Sequence, residues 1–401
     1  MKLFKVIFIL VLLTTMLVSL ISCQCGHRDA NDNTVCDKCG ATYTDGKDIY
    51  DNNEQGLSFF LKDDGTYSVG VGSATKLSDI YIPAMYNGKP ITEIEEGGFA
   101  NCANLKNISI PDSVSNVDLS MFDGCHEDLI QIENGLMYLD KWVVGSTENL
   151  SNIVFRDNTV GIKAGISLTM SQYKHEATEL FIPKNVRYIE TLALVCSLNL
   201  VDYIVDIENP YFTSINGIIY TKDAKKLIQH PIAKESKSLV IPSSVEIIST
   251  CAFLGCEGIE SINFEENSSL NKIETLAFYC LDSSFTITLP EGITHIEKEA
   301  FRECGLTSIT LPYSITTIDN LAFASCIYLK EITLSQKITF IGEDAFSWCY
   351  SLSDIYFDGT IYEWEAINKV ERWNYCVKSF TVHCSDGNLN LEGWDYPEDY
   401  H

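Results

Sequence analysis

A unit of 22 to 25 residues recurs along the chain, and this repeat restricts the possible folds more than any other feature. A pair of leucine or β-branched residues spaced by three precedes the phenylalanine of each unit, as Ile315 and Ile318 do. That phenylalanine is followed two or three residues later by a cysteine, at Phe99, Phe122, Phe253, Phe278, Phe301, Phe323 and Phe346. Because so short a unit cannot bury its own apolar face, successive units must stack, and the sequence predicts a solenoid.

Prolines mark the end of one strand in most units. Six of the ten prolines directly follow a short run of alternating apolar residues, and these are Pro83, Pro111, Pro183, Pro242, Pro290 and Pro312. Proline has no N–H to donate to a strand ladder, so each is expected to end its strand.

Segments that depart from the repeat predict hairpins, caps and a tail. Residues 134–145 and 216–230 share Asn-Gly, an apolar run and a charged turn, and each predicts a β-hairpin. Residues 57–72, with the turn Asp63-Asp64-Gly65, predict a hairpin that caps the first repeat. The solenoid with its caps is expected to span residues 57–384, and residues 385–401 are expected to form an acidic tail.

The blocks LTSITLPYSITTIDNLAFASC (306–326) and LKEITLSQKITFIGEDAFSWC (329–349) resemble the bacterial BspA-like, Treponema-type leucine-rich-repeat family. Residues 359–369, GTIYEWEAINK, resemble the closing segment of that family. The resemblance implies a curved, β-rich leucine-rich-repeat solenoid with a sheet on its concave face. For function, it implies surface exposure, adhesion or ligand binding.

The first 22 residues have the pattern of a secretory signal, with Lys2 and Lys5 before an apolar run that extends from Val6 to Val18. This run is shorter than the roughly 20 residues that a membrane span needs. Leu20-Ile21-Ser22-Cys23 resembles the bacterial lipoprotein processing box, in which the cysteine thiol carries diacylglycerol. We therefore expect a protein that is exported and anchored at the bacterial cell surface through lipid on Cys23. An ordinary cleaved signal and an uncleaved anchor are the alternatives.

A short segment rich in cysteine and histidine follows, within the anchored linker region 23–56. Cys25, His27, Cys36 and Cys39 supply four ligands that suit a closed, structural zinc site. A disulfide in an oxidising exterior, or free thiols in a flexible stalk, are the alternatives.

The cysteines of the repeat are expected to form a buried ladder in which each thiol donates weakly to the carbonyl of a neighbouring turn. Cys376 and Cys384 fall outside this pattern, so a disulfide between them in the cap stays open. None of the seven histidines stands beside a nucleophile motif such as Gly-x-Ser-x-Gly. We therefore expect no catalytic residues and no enzymatic activity, and a glycan-processing enzyme is the weakest alternative.

Alternate residues of the strands should face outward and form a surface that is rich in hydroxyl groups. Phe181, Val240 and Tyr356 are the apolar exceptions, and Phe181 and Tyr356 are the candidate ligand-binding residues. If the hairpins carry recognition instead, Tyr138 and Tyr220 are the candidates.

The formal net charge of −27 argues against a nucleic-acid backbone as partner. The expected partners are a protein or glycan outside the cell, together with the membrane through the lipid anchor. The alternative function is that of a structural or self-associating protein of the cell envelope.

Overall fold

The computed structural model describes residues 55–166, 174–281 and 284–392, and short β-strands dominate its regular structure. The first strands are β1 (Ser58–Leu61), β2 (Tyr67–Gly70), β3 (Asp79–Tyr81), β4 (Met85–Tyr86), β5 (Lys89–Ile94), β6 (Asn107–Ser109), β7 (Gln131–Glu133), β8 (Leu136–Leu139), β9 (Trp142–Ser146), β10 (Gly161–Ile162), β11 (Glu179–Ile182) and β12 (Tyr188–Ile189). The next are β13 (Asp202–Val205), β14 (Phe212–Ile215), β15 (Ile218–Thr221), β16 (Lys226–Gln229), β17 (Ser238–Ile241), β18 (Ile247–Ile248), β19 (Ser261–Phe264), β20 (Lys272–Ile273) and β21 (Thr286–Ile287). The last are β22 (His295–Ile296), β23 (Ser308–Thr310), β24 (Thr317–Ile318), β25 (Glu331–Leu334), β26 (Phe340–Ile341), β27 (Asp354–Phe357), β28 (Asn368–Lys369), β29 (Phe380–Cys384) and β30 (Gly387–Leu391).

Helical structure is brief. The helix α1 spans Ile361–Ala366, and 3₁₀ turns span Leu119–Phe122, Glu127–Leu129 and Ala164–Ile166. Within the part of the chain that the structure describes, every helix is too short or too polar to cross a membrane.

The chain divides into two compact units. Unit 1 consists of the described residues of Met1–His175 and Pro183–Cys196, and unit 2 consists of those of Glu176–Ile182 and Ser197–His401. Each unit has its own buried apolar cluster.

Unit 1 begins with the expected capping hairpin. β1 and β2 pair antiparallel, and their turn is held by Asp64, whose Oδ1 accepts the backbone N–H of Thr66 at 2.9 Å. Gly65 occupies the left-handed region with a φ of 83°, where a residue without Cβ has no steric penalty. β2 then pairs parallel with β5, so the hairpin joins the first sheet of the solenoid.

A three-stranded antiparallel meander replaces a simple turn in each unit. The expected hairpins are confirmed, and each carries an additional strand before it: β7–β8–β9 in unit 1 and β14–β15–β16 in unit 2. The additional turn is made by the Asn-Gly pair itself, because Asn216 and Gly217 both have positive φ, at 51° and 76°, as a tight hairpin turn requires. The last strand of each meander then pairs parallel with the solenoid, β9 with β10 and β16 with β18.

Unit 2 stacks two kinds of parallel strand, which we call A strands and B strands. The A strands are β11, β13, β17, β19, β21, β23, β25, β27 and β29, and they alternate buried and exposed side chains. The B strands are the two-residue strands β18, β20, β22, β24, β26 and β28. Proline ends several A strands as expected, and its carbonyl accepts the N–H three residues later, as Pro312 does from Ile315 at 3.1 Å. The proline therefore also starts the turn that leads into the B strand.

A ladder of aromatic rings fills the corners that join each B strand to the next A strand. The rings of Phe253, Phe278, Phe301, Phe323 and Phe346 stack on one another with centroids 4.9 to 5.3 Å apart. All five are fully buried. The ladder forms because each phenylalanine N–H donates to the next corner, as Phe301 does to the carbonyl of Ala322 at 2.8 Å.

The expected thiol ladder is confirmed beside these rings. The Sγ atoms of Cys304, Cys326 and Cys349 lie 2.9 to 3.1 Å from the phenylalanine carbonyl oxygen of the preceding corner. Cys280 is an exception, because it follows Phe278 by two residues and Leu281 takes the ladder position instead, fully buried. Cys376 and Cys384 are both free thiols, so the cap contains no bond between them.

The ring ladder begins at His230, which the sequence alone did not place there. Its ring stacks on Phe253 at 5.4 Å, and its backbone N–H donates to Ala252 as a corner phenylalanine does. The ring nitrogens lie 2.9 Å from the carbonyl oxygen of Pro231 and 3.0 Å from Oγ of Ser236. Burial lowers the pKa of His230 to about 4, so the imidazole is neutral in the folded protein near neutral pH.

We expect His230→Phe to reduce the dependence of stability on pH. The unfolded histidine takes up a proton near its ordinary pKa of 6.5, whereas the folded one resists protonation down to about pH 4. Its contribution is therefore complete above pH 6.5 and is lost towards pH 4, by up to about 3 kcal/mol. Urea unfolding of wild type and His230→Phe at several pH values measures the difference between their free energies of unfolding. The two proteins contain the same carboxylates, so the contribution of these groups cancels in the difference. Parallel slopes for wild type and His230→Phe would contradict the assignment.

The C-terminal end of unit 2 differs from the expected boundary at residue 384. β30 pairs antiparallel with β29 through Leu391, because Asn388 to Leu391 alternate polar and apolar residues and the leucines pack against the core. Residues 387–391 are therefore strand and not tail, and residues 393–401 lie outside the described chain. Before β29, Thr360 and Glu363 cap α1 reciprocally, and α1 places the buried Trp364 against Phe357.

Candidate functional site

The outward side chains of the A strands form one kind of surface along unit 2, which we call the A face. The expected outward pairs are exposed or half-buried, as with Thr286/Thr288, Ser308/Thr310 and Glu331/Thr333. The strand register aligns them in rows, one of which is Ser308, Glu331, Asp354 and Thr381. The backbone ladder fixes these positions, so the A face is a preformed surface rich in hydroxyl groups.

Tyr356 lies in a row of the A face with Thr310, Thr333 and His383. The tyrosine is 40% exposed, and its ring stacks on the His383 ring with a centroid distance of 4.7 Å and an interplanar angle of 15°. The strand pattern did not single out His383 for the A face, although it stands next to the buried Val382 and so faces outward.

Asp354 anchors this aromatic pair. One of its oxygens lies 2.7 Å from Nε2 of His383, and Ser353 donates its hydroxyl to the other at 2.6 Å. The hydroxyl of Ser353 and the contact with His383 hold the pKa of Asp354 below its usual value, so the carboxylate is charged near neutral pH. Because Ser353 bonds the carboxylate and not the imidazole, this trio lacks the nucleophile–base contact of a catalytic triad. The arrangement suits recognition of a polar ligand beside an aromatic edge.

We call two outward side chains that are paired across neighbouring A strands an apolar step. Tyr356 and His383 form the first such step of the A face, and Phe181 lies on the second. It is 46% exposed on β11 and pairs in register with Ile204 on β13, which is 42% exposed. Ile204 was missed because its strand, Asp202–Val205, has no proline at its end. Two adjacent exposed apolar side chains offer more contact area to a partner than one.

The predicted exceptions on the A face are not brought together. Phe181 belongs to the sheet β11–β13, Val240 to β17–β19–β21, and Tyr356 to the sheet that ends at β30. Tyr138 and Tyr220, the candidates for recognition by the hairpins, are wrong as contact residues because both rings are fully buried.

The lipidation and zinc predictions concern Cys23, Cys25, His27, Cys36 and Cys39, which lie outside the described residues. Among the described residues, no group of three or more histidine, cysteine, aspartate or glutamate side chains is arranged to hold a metal ion.

Comparison with known proteins relates the repeat to one family. The model of the BspA type leucine rich repeat region matches six copies, over residues 73–201 and 233–353. No curated protein matches the chain.

Several solved structures are similar to the chain. A leucine rich cell surface protein from Faecalibacterium prausnitzii has 22% identity and a TM-score of 0.50, and the match covers 81% of this chain and 97% of that one. A leucine-rich repeat protein from Eubacterium ventriosum has 16% identity and a TM-score of 0.44, with 86% and 95% covered. The pneumococcal vaccine antigen PcpA has 18% identity and a TM-score of 0.44, with 81% and 91% covered. The first of these supports the leucine-rich-repeat solenoid.

Proposed function

The chain belongs to the BspA-type leucine-rich-repeat family, and on this premise we propose that it is a lipid-anchored bacterial surface protein that binds a macromolecular partner non-covalently through its A face. The proposed activity is binding, with no catalysed reaction.

One observation carries the proposal: the A face combines a rigid polar surface with two exposed apolar steps, Tyr356–His383 and Phe181–Ile204. Single serine and threonine contacts contribute little binding energy, whereas exposed aromatic residues on a rigid support dominate many interfaces. Binding energy should therefore concentrate at these steps.

The proposed location rests on two supports. The lipoprotein-like sequence ending at Cys23 favours export and anchoring, and the F. prausnitzii protein of the same fold is described as a cell surface protein. A protein or glycan outside the cell is the proposed partner. The net charge of −27 should attract a basic partner, with an association rate that falls as salt increases.

Tyr356→Ala tests the binding model. We expect affinity to fall at least about tenfold, roughly 1.4 kcal/mol, while thermal unfolding changes little because the ring is exposed. Binding of the purified protein to arrays of immobilised matrix proteins and glycans measures the effect. Thr310→Ala in the same row is the control and should leave both affinity and stability nearly unchanged.

Unchanged affinity in both Tyr356→Ala and Phe181→Ala would refute the A face as the contact surface. A second candidate function, self-association in the envelope, is favoured by β30, an edge strand that pairs with β29 alone among the described strands. Concentration-dependent sedimentation of the purified protein, with no array ligand bound, would support it instead.

A further inference from the structure

The corners that carry the Phe–Cys ladder also form a surface, and in the last two corners this surface becomes aromatic. Trp348 occupies the position that Ser325 and Glu303 hold in the preceding corners, two residues after the ladder phenylalanine. Its N–H donates to the carbonyl of Tyr375 at 2.9 Å, which places the two residues in adjacent corners. Trp348, Tyr350, Tyr375 and Arg372 together are called the aromatic corner below.

The side chain of Trp348 is unusual for its position in the corner. Its φ is 64°, in the left-handed region, where bulky side chains are rare. The same position has Gly255 and Ser325 in other corners, at 63° and 59°. A tryptophan thus stands where smaller residues meet the same backbone demand, and it does not belong to the apolar core of unit 2. Cys280 and Glu303 hold the same position with φ of 57° and 58°, so the backbone is common to the corners and the large aromatic side chain is what distinguishes this one.

The rings form a compact group in which Trp348 and Tyr375 are half-buried and Tyr350 is exposed. Tyr350 and Tyr375 both meet the Trp348 ring edge-on, with centroids 5.9 and 5.7 Å away. Tyr350 is 41% exposed. The neighbouring corner adds the exposed Ile327 and Tyr328, since the Ser351 hydroxyl donates to the Ile327 carbonyl at 2.7 Å. Tryptophan and tyrosine clustered in this way are the residues most enriched among interface hot spots.

The charges around the rings select the partner. The guanidinium of Arg372 lies 4.6 Å over the Tyr375 ring and 3.4 Å from the Asp344 carboxylate, so the corner already contains one arginine held between a ring and a carboxylate. Glu343 and Glu371 are exposed in the same two corners, which leaves carboxylates in excess. Rings beside carboxylates fit a planar cation, because guanidinium groups both stack on aromatic faces and bind carboxylates.

We propose that the aromatic corner is an interaction surface for an arginine-bearing protein segment, separate from the A face. The contact would repeat, across an interface, the arrangement that Arg372 makes with Tyr375 and Asp344. This inference goes beyond the proposed function and does not depend on Tyr356 or Phe181.

The probes are fluorescein-labelled nona-arginine, nona-lysine and a neutral Gly-Ser peptide, titrated with the purified protein at about 0.15 M salt and followed by anisotropy. We expect nona-arginine to bind more tightly than nona-lysine, and the neutral peptide not to bind. Trp348→Ser should weaken nona-arginine binding at least about tenfold. Tyr313→Ser is the matched control, since Tyr313 is an exposed tyrosine with its own cation contact, to Lys337 at 4.4 Å, outside the corner. The control should change affinity less than about twofold.

Equal affinities in wild type, Trp348→Ser and Tyr313→Ser would overturn the proposal, because attraction by net charge alone treats the three proteins alike. Thermal unfolding separates recognition from packing. Serine already occupies the equivalent position at Ser325, so Trp348→Ser should unfold at the wild-type temperature or above. A fall of several degrees would identify Trp348 as a packing residue and would also overturn the proposal.

Discussion

Phe301→Ala is expected to lower the free energy of unfolding of unit 2 by about 3 to 5 kcal/mol. Phe301 is fully buried and stacks between Phe278 at 4.9 Å and Phe323 at 5.3 Å. Removing one ring leaves a cavity whose walls are rings held by their own corner hydrogen bonds, so the site has little freedom to collapse. The cost should therefore lie in the upper part of the range for large core truncations.

Urea unfolding followed by circular dichroism measures this loss. Phe181→Ala is the matched control, because it removes the same side chain from an exposed position and should cost less than about 1 kcal/mol. Similar losses in the two variants would contradict the stacked-ring account of the core.

Cys23→Ser is expected to move the protein from the membrane fraction to the aqueous fraction. Each methylene of an acyl chain in the bilayer contributes about 0.8 kcal/mol, so more than one chain on Cys23 gives stable attachment, and replacing Cys23 removes all the chains at once. Metabolic labelling with a fatty-acid analogue, together with fractionation, measures the effect. Cys25→Ser is the control and should keep both label and membrane attachment, since Cys25 lies outside the processing box. Equal labelling of wild type and Cys23→Ser would refute lipidation.

Much of the fold could be predicted because the repeated residues are those that pack one turn of the solenoid against the next. Phe301 and Cys304 recur at one phase because each turn must present the same side chains to its neighbours, and Pro312 marks a strand end because it lacks an N–H. Where one structural position is filled by a different chemical type, the pattern fails. His230 was not assigned to the phenylalanine ladder, and Leu281 takes the place expected for Cys280.

The terminal elements were harder to predict because they do not repeat. β30 looked like part of an acidic tail, since its alternating Asn-Leu residues become a strand only beside β29. The helix α1 depends on a local cap between Thr360 and Glu363, which the repeat does not contain.

The candidate surfaces were predicted only where strand alternation decides exposure. Phe181 and Tyr356 face outward as expected, but His383 and Ile204 become their neighbours only through strand register. The aromatic corner was not predicted, because the repeat gives no reason to single out Trp348, and Tyr375 becomes its neighbour only through the pairing of adjacent corners.

The stacked corners also bear on how such chains evolve. Between Phe253 and Phe346, each corner phenylalanine donates its N–H to the corner that follows, so a segment that runs from one corner to the same point in the following one contains a whole structural unit. Duplicating or deleting that segment by recombination within the gene would add or remove a turn while the terminal caps stay intact. Selection can then adjust the length of the solenoid in steps of about 4.8 Å per turn, without a change of fold.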